Sequence, residues 1–277
     1  MQTPKPEQLS LNTATVRQQW NLQQIIEGCA RHEIRGISPW RDQVSALGLQ
    51  PTARLMREHD LTVTGYCRGG MFPASSREQR QQKMDDNHRA VDEALELNAA
   101  CLVLVVGGLP EGSKDLNGAH RQVEDGLAAL LDYARPRGMP LAIEPLHPMY
   151  AADRACVNSL QQANDLCDRL GDDGLGIAVD VYHTWWDAGF AREIRRAGQK
   201  RLLAFHICDW LNPTQDMLSD RGMMGDGVID IRGLRQQVEA EGYQGFHEVE
   251  IFSRLNWWQQ DPDEVLRTCK ARHLEHG

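Results

Sequence analysis

The sequence predicts an α/β protein, a (β/α)8 TIM barrel formed by residues 1–277 as a single domain, and three observations carry that expectation. Short apolar runs alternate along the chain with longer segments whose apolar residues recur at helical spacing. Strand then helix, repeated to the end, dictates parallel pairing with right-handed crossovers. Eight such units in 277 residues match the usual length of a closed barrel. A doubly wound open sheet is the alternative, and the lack of a glycine-rich dinucleotide fingerprint after the first strand weighs against it.

In chain order the strands read SLNTA (10–14), HEIRGIS (32–38), LTVTGY (61–66), ACLVLVV (100–106), PLAIE (140–144), LGIAVD (175–180), LLAFHI (202–207) and GFHEVEIF (245–252). Helical spacing is plain over 77–98, 119–137, 160–170, 231–241 and 262–273. The glycine-rich stretches CRGGMFP and VVGGLPEGSKD follow strands and read as loops over the barrel mouth; neither matches a phosphate-binding loop.

Composition narrows the partners. With 41% hydrophobic residues and no basic run, a formal charge of −9 argues against a nucleic-acid surface, which needs clustered Lys and Arg. No apolar stretch approaches the roughly 20 residues that span a bilayer, so no membrane partner is expected. The polar start MQTPKPEQLS lacks the order of a signal peptide, and a cytoplasmic location is expected. Seven scattered cysteines with no pair at two-residue spacing suit reduced thiols better than disulfides or a structural zinc. A homo-oligomer is compatible with the sequence, which names no interface.

The strand ends carry the chemistry. Because side chains alternate across a strand, Ala142 shares a face with Glu144, Ala178 with Asp180, Ala204 with His206, and Glu248 with Glu250. The opposite faces hold Leu141 and Ile143, Ile177 and Val179, Leu203 and Phe205, His247 and Val249, which belong against helices. Glu144, Asp180, His206 and Glu250 therefore converge at the C-terminal rim, where barrel enzymes build their active sites. Three carboxylates and an imidazole pointing inward repel and desolvate one another unless a cation joins them. One divalent metal ion is expected, with Mn2+ or Mg2+ preferred for an oxygen-rich set and Co2+ or Zn2+ also compatible. Glu248, a layer deeper, reads as a partner of the ligands.

These motifs, densest from LAIEP to HEVEIF, make the chain resemble the xylose isomerase-like barrel superfamily of sugar isomerases and epimerases over nearly its whole length. That superfamily includes ketose 3-epimerases, hydroxypyruvate isomerase, inosose dehydratase and dehydroshikimate dehydratases. The resemblance implies that Glu144, Asp180, His206 and Glu250 ligate one metal, and that His183 in DVYH contacts the substrate. SDRGMMGDGVID resembles the segment that supplies an arginine to substrate oxygens, which points to Arg221. Abasic-site endonucleases share the Asp-x-x-His pattern, but the histidines they need on earlier strands are missing from LTVTGYCRGG and CLVLVVGG.

The expected reaction is isomerisation or epimerisation of a keto sugar or related polyol-derived substrate through a metal-stabilised enediolate, with Glu144 and Glu250 as acid and base. His147, Trp185 and Trp186 lie in loops suited to packing on sugar C–H faces. A metal-dependent dehydratase of a keto-polyol or keto-glycoside uses the same constellation. A sugar-binding or partner subunit without turnover is the alternative of a different class.

Overall fold

The computed structural model describes residues 3–171 and 173–277. Its strands are β1 (Leu9–Asn12), β2 (Gly36–Ser38), β3 (Thr62–Val63), β4 (Tyr66–Gly70), β5 (Leu102–Val105), β6 (Leu141–Ile143), β7 (Leu175–Asp180), β8 (Leu202–Ile207), β9 (Asp209–Trp210), β10 (Arg221–Gly222) and β11 (His247–Val249). The sheet runs β3-β2-β1-β11-β8-β7-β6-β5-β4, with every pairing parallel. Only Thr64 and Gly65 separate β3 from β4, and Ala100 N–H donates to the Val63 carbonyl at 2.9 Å. These two segments are one strand position, so nine strands close an eight-position (β/α)8 ring.

The helices begin where side chains satisfy their first free amides. Asp115, Ser159, Asp230 and Asp261 accept from the backbone N–H groups of Gly118, Gln162, Gly233 and Glu264 respectively. The helices that follow, Leu116–Ala134, Leu160–Leu170, Ile231–Ala240 and Pro262–His276, match the periodic segments of the sequence to within a few residues.

Two apolar clusters follow from strand alternation. Leu141, Ile143, Ile177, Val179, Phe205 and Val249 face outward into the large core beneath the helices. Cys67, Cys101, Val103, Ala142, Ala178 and Ala204 fill the barrel interior. Small side chains there leave depth below the rim for ionisable groups.

Two expectations need correction. CRGG is not loop: Cys67–Gly70 continues the third strand, paired with Val103–Val105, and Asn87 anchors the amide of Gly70 at 2.6 Å. The register shifts between Cys67 and Gly69, and such a bulge re-aims the residue within it, here Arg68. Leu203, expected against helices, packs against the interior cluster instead. The β7–β8 register passes from Ile177↔Leu202 to Ala178↔Ala204, leaving Leu203 in a bulge that turns it inward.

All seven cysteines are buried. Among the described residues no helix is long and apolar enough to cross a membrane.

Candidate active site

Four neighbouring ring positions, β6, β7, β8 and β11, deliver Glu144, Asp180, His206 and Glu250 to one point at the C-terminal rim. One ligand atom from each lies within 4.8 Å of all the others, and all four residues are buried. Their backbones remain in the barrel ladder: Glu144 N–H donates to Leu104 and Glu250 N–H to Ile207, so the side chains start from fixed positions. His206 turns Nδ1 toward the cluster, 3.0 Å from Glu144 Oε1 and 4.0 Å from Glu250 Oε2. Its buried Nε2 has no hydrogen-bond partner, and Glu248 Oε1 stands 3.6 Å away.

Arg221, expected to face the substrate, is nearly buried and lies directly on this cluster. Its Nη1 donates to Asp180 Oδ2 at 2.9 Å and Glu250 Oε2 at 3.0 Å, while Nη2 lies 3.2 Å from His183 Nε2. It sits on β10, which pairs antiparallel with β9, and the next turn is pinned by Asp209, whose carboxylate accepts from Gly225, Gly227 and Ile229. His183 follows Asp180 on a short helix, and Asp180 Oδ1 caps that helix by accepting from Tyr182 N–H at 2.8 Å.

The electrostatics show how crowded the charges are. Burial opposes ionisation of Asp180, yet Arg221, His183 and His206 hold it below the usual carboxylate range. Burial pushes Glu250 up to about 8, against the pull of Arg221. Burial also works against a charged His206, but Glu248, Glu144 and Glu250 raise it well above an ordinary histidine. Burial lowers His183 to about 3, which keeps it neutral. Three carboxylate groups and an imidazole nitrogen turned toward them fit a divalent cation, and Glu144, Asp180, His206 and Glu250 are the residues that would hold it.

The sequence reading missed the residues that brace this group. Asn12 Nδ2 donates to Glu248 Oε1 at 2.7 Å and Glu250 Oε1 at 3.0 Å, and its Oδ1 accepts from Trp40 Nε1 at 2.8 Å. Thr64 donates to the other oxygen of Glu248 at 3.1 Å. The alternation used for the later strands also marks Ser10 and Asn12 as an inward face of β1, so the signal for Asn12 was present.

The three loop aromatics gather on one side. His147 stacks on Trp210 at 5.2 Å and meets Trp186 edge-on at 5.7 Å; Trp185 lies 5.9 Å from Trp210. Tyr182, 4.8 Å from Trp210, and Tyr150 both pack edge-on against His183 and join this wall to the centre. On the other side a cavity of about 780 Å³ is lined by Trp40, Cys67, Arg68, Met71 and Leu109. Trp40 and Cys67 both touch Asn12, so the cavity adjoins the carboxylates.

This chain belongs to the xylose isomerase-like TIM barrel family, whose model matches residues 26–269. A crystal structure of a protein from Sinorhizobium meliloti 1021 is 56% identical and superposes with a TM-score of 0.96 over 98% of this chain and 99% of that one. The IolI protein with a bound zinc atom is 20% identical, with a TM-score of 0.82 over 97% of both chains. Inosose isomerase of Bacillus velezensis is 23% identical over 270 residues, 95% of this chain and 94% of the relative. The 3-dehydroshikimate dehydratase of Pseudomonas putida is 27% identical over 186 residues, 66% of this chain and 28% of that enzyme. An inosose isomerase and a 3-dehydroshikimate dehydratase are thus both among the chain's relatives.

Proposed function

We propose that this protein is a divalent-metal-dependent isomerase or epimerase of a keto sugar or a related polyol-derived ketone, working in the cytoplasm. One observation carries the reading: Glu144 and Glu250 stand at the two ends of the four-strand arc, with Asp180 and His206 between them. A divalent ion bound there supplies Lewis-acid stabilisation of negative charge on substrate oxygens; Mn2+ or Mg2+ suits the oxygen-rich donors, and zinc in the IolI protein keeps Zn2+ in the set.

The chain's own groups move the proton. One glutamate removes the hydrogen next to the substrate carbonyl, and the electron pair of that C–H bond passes into an enediolate. The other glutamate returns a proton, to the opposite face of the same carbon in epimerisation or to the neighbouring carbon in isomerisation. Arg221 offers donors beside the developing oxyanion, and the neutral His183, whose Nε2 accepts from Arg221 Nη2, lies next to it. The Trp210, His147 and Trp186 wall suits the C–H faces of a sugar. Glu248, held by Asn12 and Thr64, keeps its negative charge 3.6 Å from His206 Nε2.

A dehydratase is the second reading, supported by the similarity to 3-dehydroshikimate dehydratase: the same enediolate then expels a β-hydroxyl. The test is a panel of keto sugars and keto-polyols in D2O with Mg2+, followed by NMR and mass spectrometry. Deuterium at the carbon next to the carbonyl, with isomer or epimer formed, is the expected result. Loss of water would favour the dehydratase, and no exchange with any ketone would leave only a sugar-binding protein.

A further inference from the structure

Arg68 and Arg154 are two guanidinium groups at the mouth of the barrel with no anionic partner. Arg68 sits in the bulge of β4, partly buried, and lines the cavity beside Cys67. Arg154, also partly buried, lies in the loop after β6, 5.7 Å from the Tyr150 ring. Tyr150 in turn packs on His183, so Arg154 reaches the centre through one aromatic ring. Among the described residues neither arginine side chain makes an ion pair or a hydrogen bond.

The surroundings sharpen this observation. The neighbouring cations are all engaged: Arg17 pairs with Asp42, Arg41 with Asp86 and Glu93, and Lys83 donates to the Pro73 carbonyl. Burial, and then the like charge of Arg154, pull the Arg68 guanidinium below its usual range, while Glu144 acts in the opposite sense. Glu144 is itself one of the residues placed to hold a cation, and a cation there takes up its negative charge. Arg68 lines the cavity and Arg154 is near enough for its charge to act on it, so the two guanidinium groups repel each other unless an anion enters between them. In a chain with a formal charge of −9, this is local positive charge beside the reaction centre.

We infer that the non-reacting end of the substrate carries an anionic oxygen group, a carboxylate or a phosphate, which docks between Arg68 and Arg154. The fork of a guanidinium accepts either group through two parallel N–H donors. This rests on the isomerase or epimerase reading for the reacting end of the molecule. It adds that the cavity selects acidic polyols over neutral ones of the same size.

Calorimetric titration of the Mg2+-loaded protein tests it with three probes of matched ring size: myo-inositol, myo-inositol 1-phosphate and quinate. At least one anionic probe should bind tenfold or more tightly than inositol, and which one binds tells phosphate from carboxylate. Arg68→Met and Arg154→Met should each weaken that probe by about 10- to 100-fold and leave inositol unchanged. Both variants should melt no lower than the parent, because each removes an unpaired charge. Should Arg68→Met fail to fold, Arg154→Met, in the loop after β6 and outside the barrel strands, carries the test alone. Equal affinity for charged and neutral probes, or anion binding undiminished in both variants, overturns the inference. Anion binding without deuterium exchange on any ketone keeps this subsite and removes the isomerase reading; exchange on a neutral ketone with no anion preference does the reverse.

Discussion

Along β6, β7, β8 and β11 the inward rim groups are carboxylates and an imidazole, whereas along β1, β2 and β4 they are an amide, a hydroxyl, a thiol and a guanidinium: Asn12, Ser38, Cys67 and Arg68. The first half concentrates negative charge at one point and suits a cation. The second half supplies neutral donors that steady that charge and a cavity bordered by positive charge. Under the proposed function a barrel interior with eight equivalent positions is divided, with reaction chemistry on one arc and recognition of the rest of the substrate on the other.

The largest effect should come from emptying the first arc. His206→Ala removes the only nitrogen donor of the set, and metal affinity by calorimetry should fall by more than about 100-fold, beyond what loss of a supporting group costs. Retained affinity would move the metal away from this arc altogether. Glu144→Gln and Glu250→Gln keep an oxygen donor but lose the base, so turnover with saturating metal should drop about 10²- to 10⁴-fold. Each single variant should still wash deuterium into one epimer from its remaining glutamate. Near-parental turnover in Glu250→Gln would end the two-base mechanism.

Asn12→Leu asks whether the second arc tunes the first. It strips the donors from Glu248 and Glu250, and metal affinity should weaken about 10- to 100-fold while the barrel stays folded. Unchanged affinity would make the two halves independent. His183→Ala should keep the metal and lower kcat/KM by roughly tenfold, the worth of one hydrogen bond beside the substrate. Loss of metal instead would make His183 a ligand.

The smallest effect lies on the outer face of β11. His247 Nδ1 and His273 Nε2 meet at 2.9 Å in a buried pair, and burial lowers these groups to about 3 and about 4. The unfolded chain takes up protons at these histidines near pH 6.5, well before the folded one, so their stabilising contribution is complete above that pH and is lost as pH falls toward 4. Urea unfolding should show a loss on the order of 2 kcal/mol per histidine between pH 7 and 5. The slope should flatten in His273→Leu; an identical slope would assign acid sensitivity to the carboxylate arc.

The sequence made one arc far more legible than the other. PLAIE, LGIAVD, LLAFHI and GFHEVEIF alternate cleanly between bulky and small residues, so parity alone placed Glu144, Asp180, His206 and Glu250 together. The third strand resists that reading because Thr64 and Gly65 interrupt it and a bulge breaks its period at Arg68, so CRGG resembles a turn. A bulge likewise hid the inward turn of Leu203. Trp210 and Tyr182 were invisible as partners of His147 because aromatic packing between loops leaves no periodic trace. Arg221 was found through resemblance, but its ion pairs with Asp180 and Glu250 depend on a fold of β10 against β9 that no local pattern announces.

The bond pattern of Asn12 bears on how the molecule comes into being. Glu144, Asp180 and His206 lie on consecutive strands and are within reach of one another once that stretch of chain has been synthesised. Glu250 belongs to the last strand of the ring, and the amide that holds it comes from the first, 238 residues earlier. Sealing the barrel and completing the charge cluster are therefore one event during biogenesis. A nascent chain halted before β11 would carry three-quarters of the donor set beside an open seam, and metal capture would report directly on ring closure.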